Sequence, residues 1–116
     1  MKTLNTLEDL NTIIQKSTFL FLYISNEDCG VCKTLKPKII NMLQKYENID
    51  IYYVDTDIAP EIAAQLSVFT IPGMLFYIDQ KEMIREARYV SIEELDSRIN
   101  RLYSLRSEAR PHTPFL

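Results

Sequence analysis

The chain has 116 residues, a formal net charge of −3, 47% hydrophobic residues and 25% charged residues. This length suits a single domain, and the composition is ordinary for a globular one. The mild negative charge argues against nucleic acid as the main partner, and no apolar run approaches the length of a membrane span. The first residues lack the apolar segment of a signal peptide. We therefore expect a cytoplasmic, monomeric protein that binds neither nucleic acid nor membrane.

Helices and strands alternate in the first half of the chain. Thr6 caps a helix predicted over residues 6–16, where apolar residues recur at helical spacing. The nearly continuous apolar run over 18–25 predicts a central strand that is buried on both faces. A helix over about 29–47 contains Pro37, which should bend it, and a β-branched and aromatic run predicts a strand over 49–55.

The second half adds a short helix and then a hairpin followed by a helix. Asp57 or a neighbour should cap the short helix. The remaining elements follow in chain order: the short helix with Pro60 in its first turn, a loop over 67–71, a strand over 72–78, a strand around 83–88, and a helix from a capping box at Ser91 to about Ser104. This order predicts an α/β domain over residues 1–105, with a central mixed sheet of four or five strands flanked by helices.

Residues 106–116 form a predicted C-terminal tail with two prolines and no periodicity. Two interpretations stay open for it. One is a free terminus, which is the usual state of such segments. The other is an extended ligand for the substrate groove of a neighbouring molecule, through the apolar residues Pro111, Pro114, Phe115 and Leu116.

Both cysteines of the chain, Cys29 and Cys32, lie where the central strand gives way to a helix. The unpaired N–H groups and the positive dipole end of a helix start favour a thiolate. Spacing of three residues puts both sulfurs on one helical face, within reach of a disulfide that forms and breaks easily. The polar residues around the pair, including Glu27 and Asp28, indicate a water-exposed rim rather than two buried, inert thiols. Both carboxylates oppose a thiolate, and we expect the helix to prevail because they are solvated.

Half of a zinc site is an alternative interpretation of the cysteine pair. A structural zinc takes four ligands, and the chain offers only these two cysteines and His112, so a zinc would have to be shared between two chains. A permanent disulfide does not suit a cytoplasmic protein. The sequence therefore favours redox chemistry, with no metal and no cofactor.

Over residues 4–105 the chain resembles the thioredoxin family. Three features carry the resemblance. They are the motif Cys29-Gly30-Val31-Cys32 after a strand, Pro37 five residues past Cys32, and the pair Ile71-Pro72 at the start of the third predicted strand. In that family, the proline that matches Pro72 follows a cis peptide bond and faces the cysteines. The resemblance implies a thiol–disulfide oxidoreductase in which Cys29 attacks a substrate disulfide and Cys32 resolves the mixed disulfide.

The resemblance also implies where substrates and electrons come from. Gly30, Val31, Ile71 and Pro72 would contact the substrate, with the backbone of Ile71 pairing with an extended chain. The implied partners are protein disulfides, with a reductase or a low-molecular-weight thiol as electron donor. Two alternatives stay open: a non-catalytic binding module with this fold, and a glutaredoxin-like exchanger that acts on small-thiol mixed disulfides.

The chain departs from the family pattern at several positions near the cysteines. Many members have a buried aspartate that helps to move protons, and that position is Tyr23 here. The other departures are Asp28 for a common tryptophan, Val31 for the usual proline, Tyr53 near the usual lysine, Gln80 or Lys81 for a hairpin glycine, and about Arg88 for a glycine beside the cysteines. These departures indicate a divergent member with the family's fold and reaction type.

Overall fold

The computed structural model describes residues 1–88 and 90–108, so the zinc candidate His112 and tail residues 109–116 lie outside the described residues. Five strands and four helices form within these ranges. They are β1 (Lys2–Thr3), α1 (Leu7–Lys16), β2 (Phe19–Ser25), α2 (Gly30–Leu43), β3 (Ile49–Asp55), α3 (Pro60–Gln65), β4 (Gly73–Ile78), β5 (Lys81–Ala87) and α4 (Ile92–Glu108).

The five strands form one mixed sheet in the order β1-β3-β2-β4-β5. Strand β3 pairs in parallel with both β1 and β2, while β4 pairs antiparallel with β2 and β5. The predicted mixed α/β sheet flanked by helices is therefore confirmed, with five strands. Strand β1 was not predicted, because a two-residue edge strand leaves no periodic pattern in the sequence.

Strand β2 lies at the centre of the sheet, and all seven of its residues are buried. Alternate side chains point to opposite faces of a strand. Leu20, Leu22 and Ile24 therefore join an apolar cluster with residues of α1 and α3, and Phe21 and Tyr23 join a second cluster with residues of α2 and α4. Burial on both faces explains the continuous apolar run, as the sequence predicted.

Two of the three predicted helix caps are confirmed. The Thr6 hydroxyl accepts a hydrogen bond from the backbone N–H of Asp9 at 3.0 Å. The Ser91 hydroxyl accepts one from the N–H of Glu94 at 3.2 Å, at the start of α4. These bonds satisfy donors that a helix start otherwise leaves unpaired.

Three predicted helix boundaries differ from the structure. Helix α2 ends at Leu43 rather than near 47, and Asn48 behind it has a φ of 67°. Helix α3 has Ala59 at its N-cap and no side-chain cap bond, so the predicted cap by the side chain of Asp57 or a neighbour is wrong. Helix α4 continues to Glu108 and enters the predicted tail. Helix ends depend on tertiary contacts, and the Arg106 guanidinium binds the Asp79 carboxylate at 2.6 Å.

A two-residue turn connects β4 to β5. Asp79 and Gln80 both have positive φ, 49° and 74°, in the left-handed region that favours glycine. The resemblance aligns a family glycine with Gln80 or Lys81, and Gln80 indeed has a backbone conformation that favours glycine. None of the helices in the described ranges is long and apolar enough to cross a membrane.

Candidate active site

The loop from β2 to α2 places Cys29 at the start of the helix. The side-chain oxygen of Asn26 accepts a hydrogen bond from the N–H of Asp28 at 3.0 Å, which folds the loop into a tight turn. Helix α2 then begins at Gly30 with Cys29 as its N-cap. The Cys29 Sγ accepts a hydrogen bond from the backbone N–H of Cys32 at 3.2 Å. A first-turn N–H of α2 therefore already points at the sulfur that the family resemblance implies to be the nucleophile.

The two cysteines are joined as a disulfide with their Cα atoms 5.2 Å apart. The two cysteines differ in exposure. Cys29 is half-buried, whereas Cys32 faces the core and is only 1% exposed. Neither Glu27 nor Asp28 contributes to the first turn of α2, which has no acidic residue, and both are exposed. The arrangement leaves Cys29 partly exposed to solvent and shields Cys32.

The loop before β4 lies against the cysteine pair. The Ile71–Pro72 peptide bond is cis, as the resemblance implied. A cavity of about 170 Å³ is lined by Cys29, Gly30, Val31, Ile71, Pro72 and Arg88. The structure thus brings together five of the six residues that the sequence singled out. The sixth, Cys32, lies behind Cys29 in the apolar cluster between the sheet and α2.

Arg88 borders this cavity and was not among the predicted site residues. Its backbone N–H donates a hydrogen bond to the carbonyl oxygen of Pro72 at 2.8 Å. Its φ is 63°, again in the left-handed region that favours glycine. The available signal was the alignment of a family glycine at about this position.

A larger groove continues from the disulfide cavity along α2, and we call it the Arg88 groove. It has a volume of about 690 Å³ and is lined by Gly30, Val31, Thr34, Leu35, Lys38, Arg88, Val90 and Ser91. Val31, in the middle of the cysteine motif, is 50% exposed. Sequence reasoning missed the contribution of Lys38, because only the docking of α2 beside the start of α4 makes Lys38 a groove residue.

Tyr23 lies directly behind the cysteines. Its hydroxyl donates a hydrogen bond to the carbonyl oxygen of Cys32 at 2.8 Å, and its ring stacks at 6.4 Å from that of Tyr53. Burial, and secondarily the neighbouring Tyr53, raise the pKa of Tyr23 to about 12. A hydroxyl with this pKa stays protonated at neutral pH, so Tyr23 cannot take up a proton there as a carboxylate would.

A further cavity, of about 450 Å³, lies on the Cys32 side of the pair and includes Lys36 and Tyr53 in its lining. The Lys36 ammonium group lies 4.3 Å from the centre of the Tyr53 ring, within cation–π distance. Burial raises the pKa of Tyr53 as well. Sequence reasoning placed Tyr53 near a family lysine but gave no role to Lys36.

Comparisons with known proteins agree with this geometry. A family model described as thioredoxin matches residues 2–101. The chain is 36% identical over 105 residues to the thioredoxin-like protein YdfQ of Bacillus subtilis, covering 90% of this chain and 94% of that protein. It is also 36% identical to a thioredoxin of Chlamydia trachomatis, over 63% of this chain and 69% of that protein.

Solved structures show the same similarity in three dimensions. The thioredoxin of Fasciola hepatica superposes with a TM-score of 0.78 at 28% identity, covering 87% of this chain and 98% of that one. The family match and the close-spaced cysteine pair together support a thiol–disulfide oxidoreductase. The chain belongs to the thioredoxin family.

Proposed function

We propose that this protein exchanges disulfides with protein substrates through Cys29 and Cys32. The observation that carries the proposal is the position of the Cys29 sulfur. It accepts a first-turn N–H of α2 and borders the same cavity as the cis proline, Pro72. A thiolate is stabilised at such a helix start, and it faces open space that a substrate chain can enter.

The exchange transfers two electrons to the substrate in two steps. The Cys29 thiolate attacks one sulfur of the substrate disulfide, a Cys29–substrate bond forms, and the other substrate sulfur leaves as a thiolate. The Cys32 thiolate then attacks the Cys29 sulfur and releases the second substrate sulfur as a thiolate. The substrate is reduced, the Cys29–Cys32 disulfide is formed, and a reductase or a low-molecular-weight thiol must reduce it for the next turnover.

The groove residues have separate tasks in this proposal. Ile71 lies just before the ladder of β4 begins at Gly73, so its backbone is outside the pairing of β4 with β2 and β5. It can pair with an extended substrate segment, as edge-strand recognition requires. Pro72 has no N–H and adds no competing donor, while Gly30 and Val31 form the wall on the opposite side.

Reduction of a protein disulfide such as insulin, with dithiothreitol as electron donor, tests the proposal. Cys29→Ser and Cys32→Ser serve as matched variants, because each removes one sulfur of the pair. We expect the wild type to turn over and both variants to lose turnover. In a separate mixture of the reduced proteins with substrate, from which dithiothreitol has been removed, only Cys32→Ser should accumulate a covalent complex with substrate, visible by mass spectrometry and released when reductant is added.

Two other results would contradict the proposal. An inactive wild type would support a binding module without redox turnover. Turnover of small-thiol mixed disulfides that survives in Cys32→Ser would support the glutaredoxin-like alternative, since that reaction needs only one cysteine.

A further inference from the structure

We propose that Arg88 and Lys38 make the protein selective for substrates that have an acidic residue close to the reacting cysteine. The inference rests on the proposed function and adds a substrate class to it. The recognised group is a carboxylate on an extended protein segment that lies in the Arg88 groove.

The backbone of Arg88 is held beside the redox site. The N–H of Arg88 is bonded to the carbonyl of Pro72, so this residue cannot move away from the cis-proline loop without breaking a 2.8 Å hydrogen bond. Its φ of 63° lies in the left-handed region, which is unfavourable for a residue with a Cβ. The Arg88 side chain therefore starts from a backbone position at the edge of both the disulfide cavity and the Arg88 groove.

The groove is complementary to an apolar residue followed by an acid. Val31, Leu35 and Val90 supply apolar lining next to the cysteine motif. Of the described residues that line the groove, two are charged, Lys38 and Arg88, and both are cations. A guanidinium has five N–H donors, so Arg88 can bind a substrate carboxylate together with an acceptor of its own protein.

Two of the carboxylates close to the groove, Glu86 and Asp96, are paired with other cations. Glu86, two residues before Arg88, pairs with Arg98. Beyond Lys38, the adjoining cavity contains Lys45, Glu93 and Asp96, and Asp96 is paired with Lys45. Glu93 lines that adjoining cavity with Lys38, whereas the described lining of the Arg88 groove itself contains Arg88 and Lys38 and no carboxylate.

The other side of the disulfide is different in charge. The cavity there is lined by Glu27 together with Lys33 and Lys36. Glu27 offsets part of the charge of the two lysines there, whereas the described lining of the Arg88 groove contains two cations and no carboxylate. We therefore expect the acidic end of a bound segment to lie over α2 and away from the loop at Asn26.

Kinetics with matched peptides test the inference. Three disulfide peptides share a leucine near the cysteine. They differ only at the position after this leucine, which is glutamate, glutamine or lysine. We expect the wild type to reduce the glutamate peptide about five to ten times faster than the glutamine peptide, in kcat/KM at low ionic strength, with the lysine peptide slowest. The preference should shrink at high salt, because the groove is open to solvent.

Variants assign the preference to the two cations. In the double variant Arg88→Gln with Lys38→Gln, the glutamate-to-glutamine ratio should fall close to one, while Arg88→Lys should keep most of it. Lys81→Gln is the matched control, since it removes the same charge at the opposite end of β5, roughly 20 Å away. A ratio near one in the wild type, or an unchanged ratio in the double variant, would overturn the inference.

Peptide binding measured by NMR on the oxidised protein separates this inference from the proposed function. Shifts of the Val31 and Leu35 amides that are larger with the glutamate peptide, and that vanish in the double variant, support the inference even if no peptide is reduced. Turnover without any acid preference would leave the proposed function standing and overturn the inference. Glutathione disulfide, which also has carboxylates, is a further substrate. If it is preferred over the glutamate peptide and loses this advantage in the double variant, the cations serve a small thiol and the inference is wrong.

Discussion

Replacing Tyr23 by phenylalanine removes one hydroxyl from the centre of the protein and leaves the ring in place. The ring is fully buried, and the hydroxyl donates to the carbonyl of Cys32 at 2.8 Å. That carbonyl lies in the first turn of α2 and keeps its helical hydrogen bond in the variant. We therefore expect a loss of about 1 kcal/mol in the free energy of unfolding at pH 7, the usual net value of one buried hydrogen bond.

The sign of this difference should change at high pH. The folded protein holds the Tyr23 proton up to a pKa of about 12, against 10.0 for an unperturbed tyrosine. Between these values the folded state binds a proton that the unfolded state has lost, so the stability of the wild type falls as pH rises. The loss amounts to roughly 1.4 kcal/mol per pH unit and ~2.7 kcal/mol in total. Phenylalanine does not ionise, so the variant should match the wild type near pH 11 and exceed it above.

Urea unfolding of both oxidised proteins at pH 7 and from pH 9 to 11.5 measures this crossover. Taking the difference between the proteins cancels the ionisation of the other tyrosines. A difference that stays constant to pH 11.5 would refute the argument, because Tyr23 would then ionise equally in both states. A loss well above 3 kcal/mol at pH 7 would also refute it, since one hydrogen bond cannot account for that value.

Three further predictions concern the redox site. Because Tyr23 stays protonated at neutral pH, Tyr23→Phe should not change the shape of the pH–rate profile of the resolving step, measured by stopped-flow kinetics. If the variant lost one limb of that profile, Tyr23 would be a proton acceptor and the prediction would be wrong. Gly73→Ala should cost about 1–3 kcal/mol in urea unfolding, because the added Cβ would lie 2.8 Å from a methyl carbon of Val68. Its control is Gly30→Ala, where a Cβ meets nothing within 4 Å, and an equal cost in both would contradict the packing argument. Brief alkylation of the reduced protein should label Cys29 before Cys32, which is 1% exposed, and mass mapping that finds both labelled equally would contradict the assignment.

The sequence by itself determined the elements and the reactive pair. Strand β2 could be predicted from its continuous apolar run because a central strand is buried on both faces, and the caps at Thr6 and Ser91 from short polar side chains before helices. These signals are local, since the residues that form them are neighbours along the chain. The cysteine motif and Ile71-Pro72 were equally visible, and their resemblance to a known family implied the cis bond that the structure contains.

Only the tertiary structure decided what surrounds the pair. The hydrogen bond from the Tyr23 hydroxyl to Cys32 depends on how α2 packs on the sheet. The bond from Arg88 to Pro72 depends on the antiparallel pairing of β4 with β5, which brings the end of one strand beside the start of the other. Lys38 and Arg88 line the same groove only because α2 and the start of α4 lie side by side. Such contacts join residues far apart in the chain, and no local periodicity encodes them, because they arise only when packing fixes the register and the relative placement of whole elements.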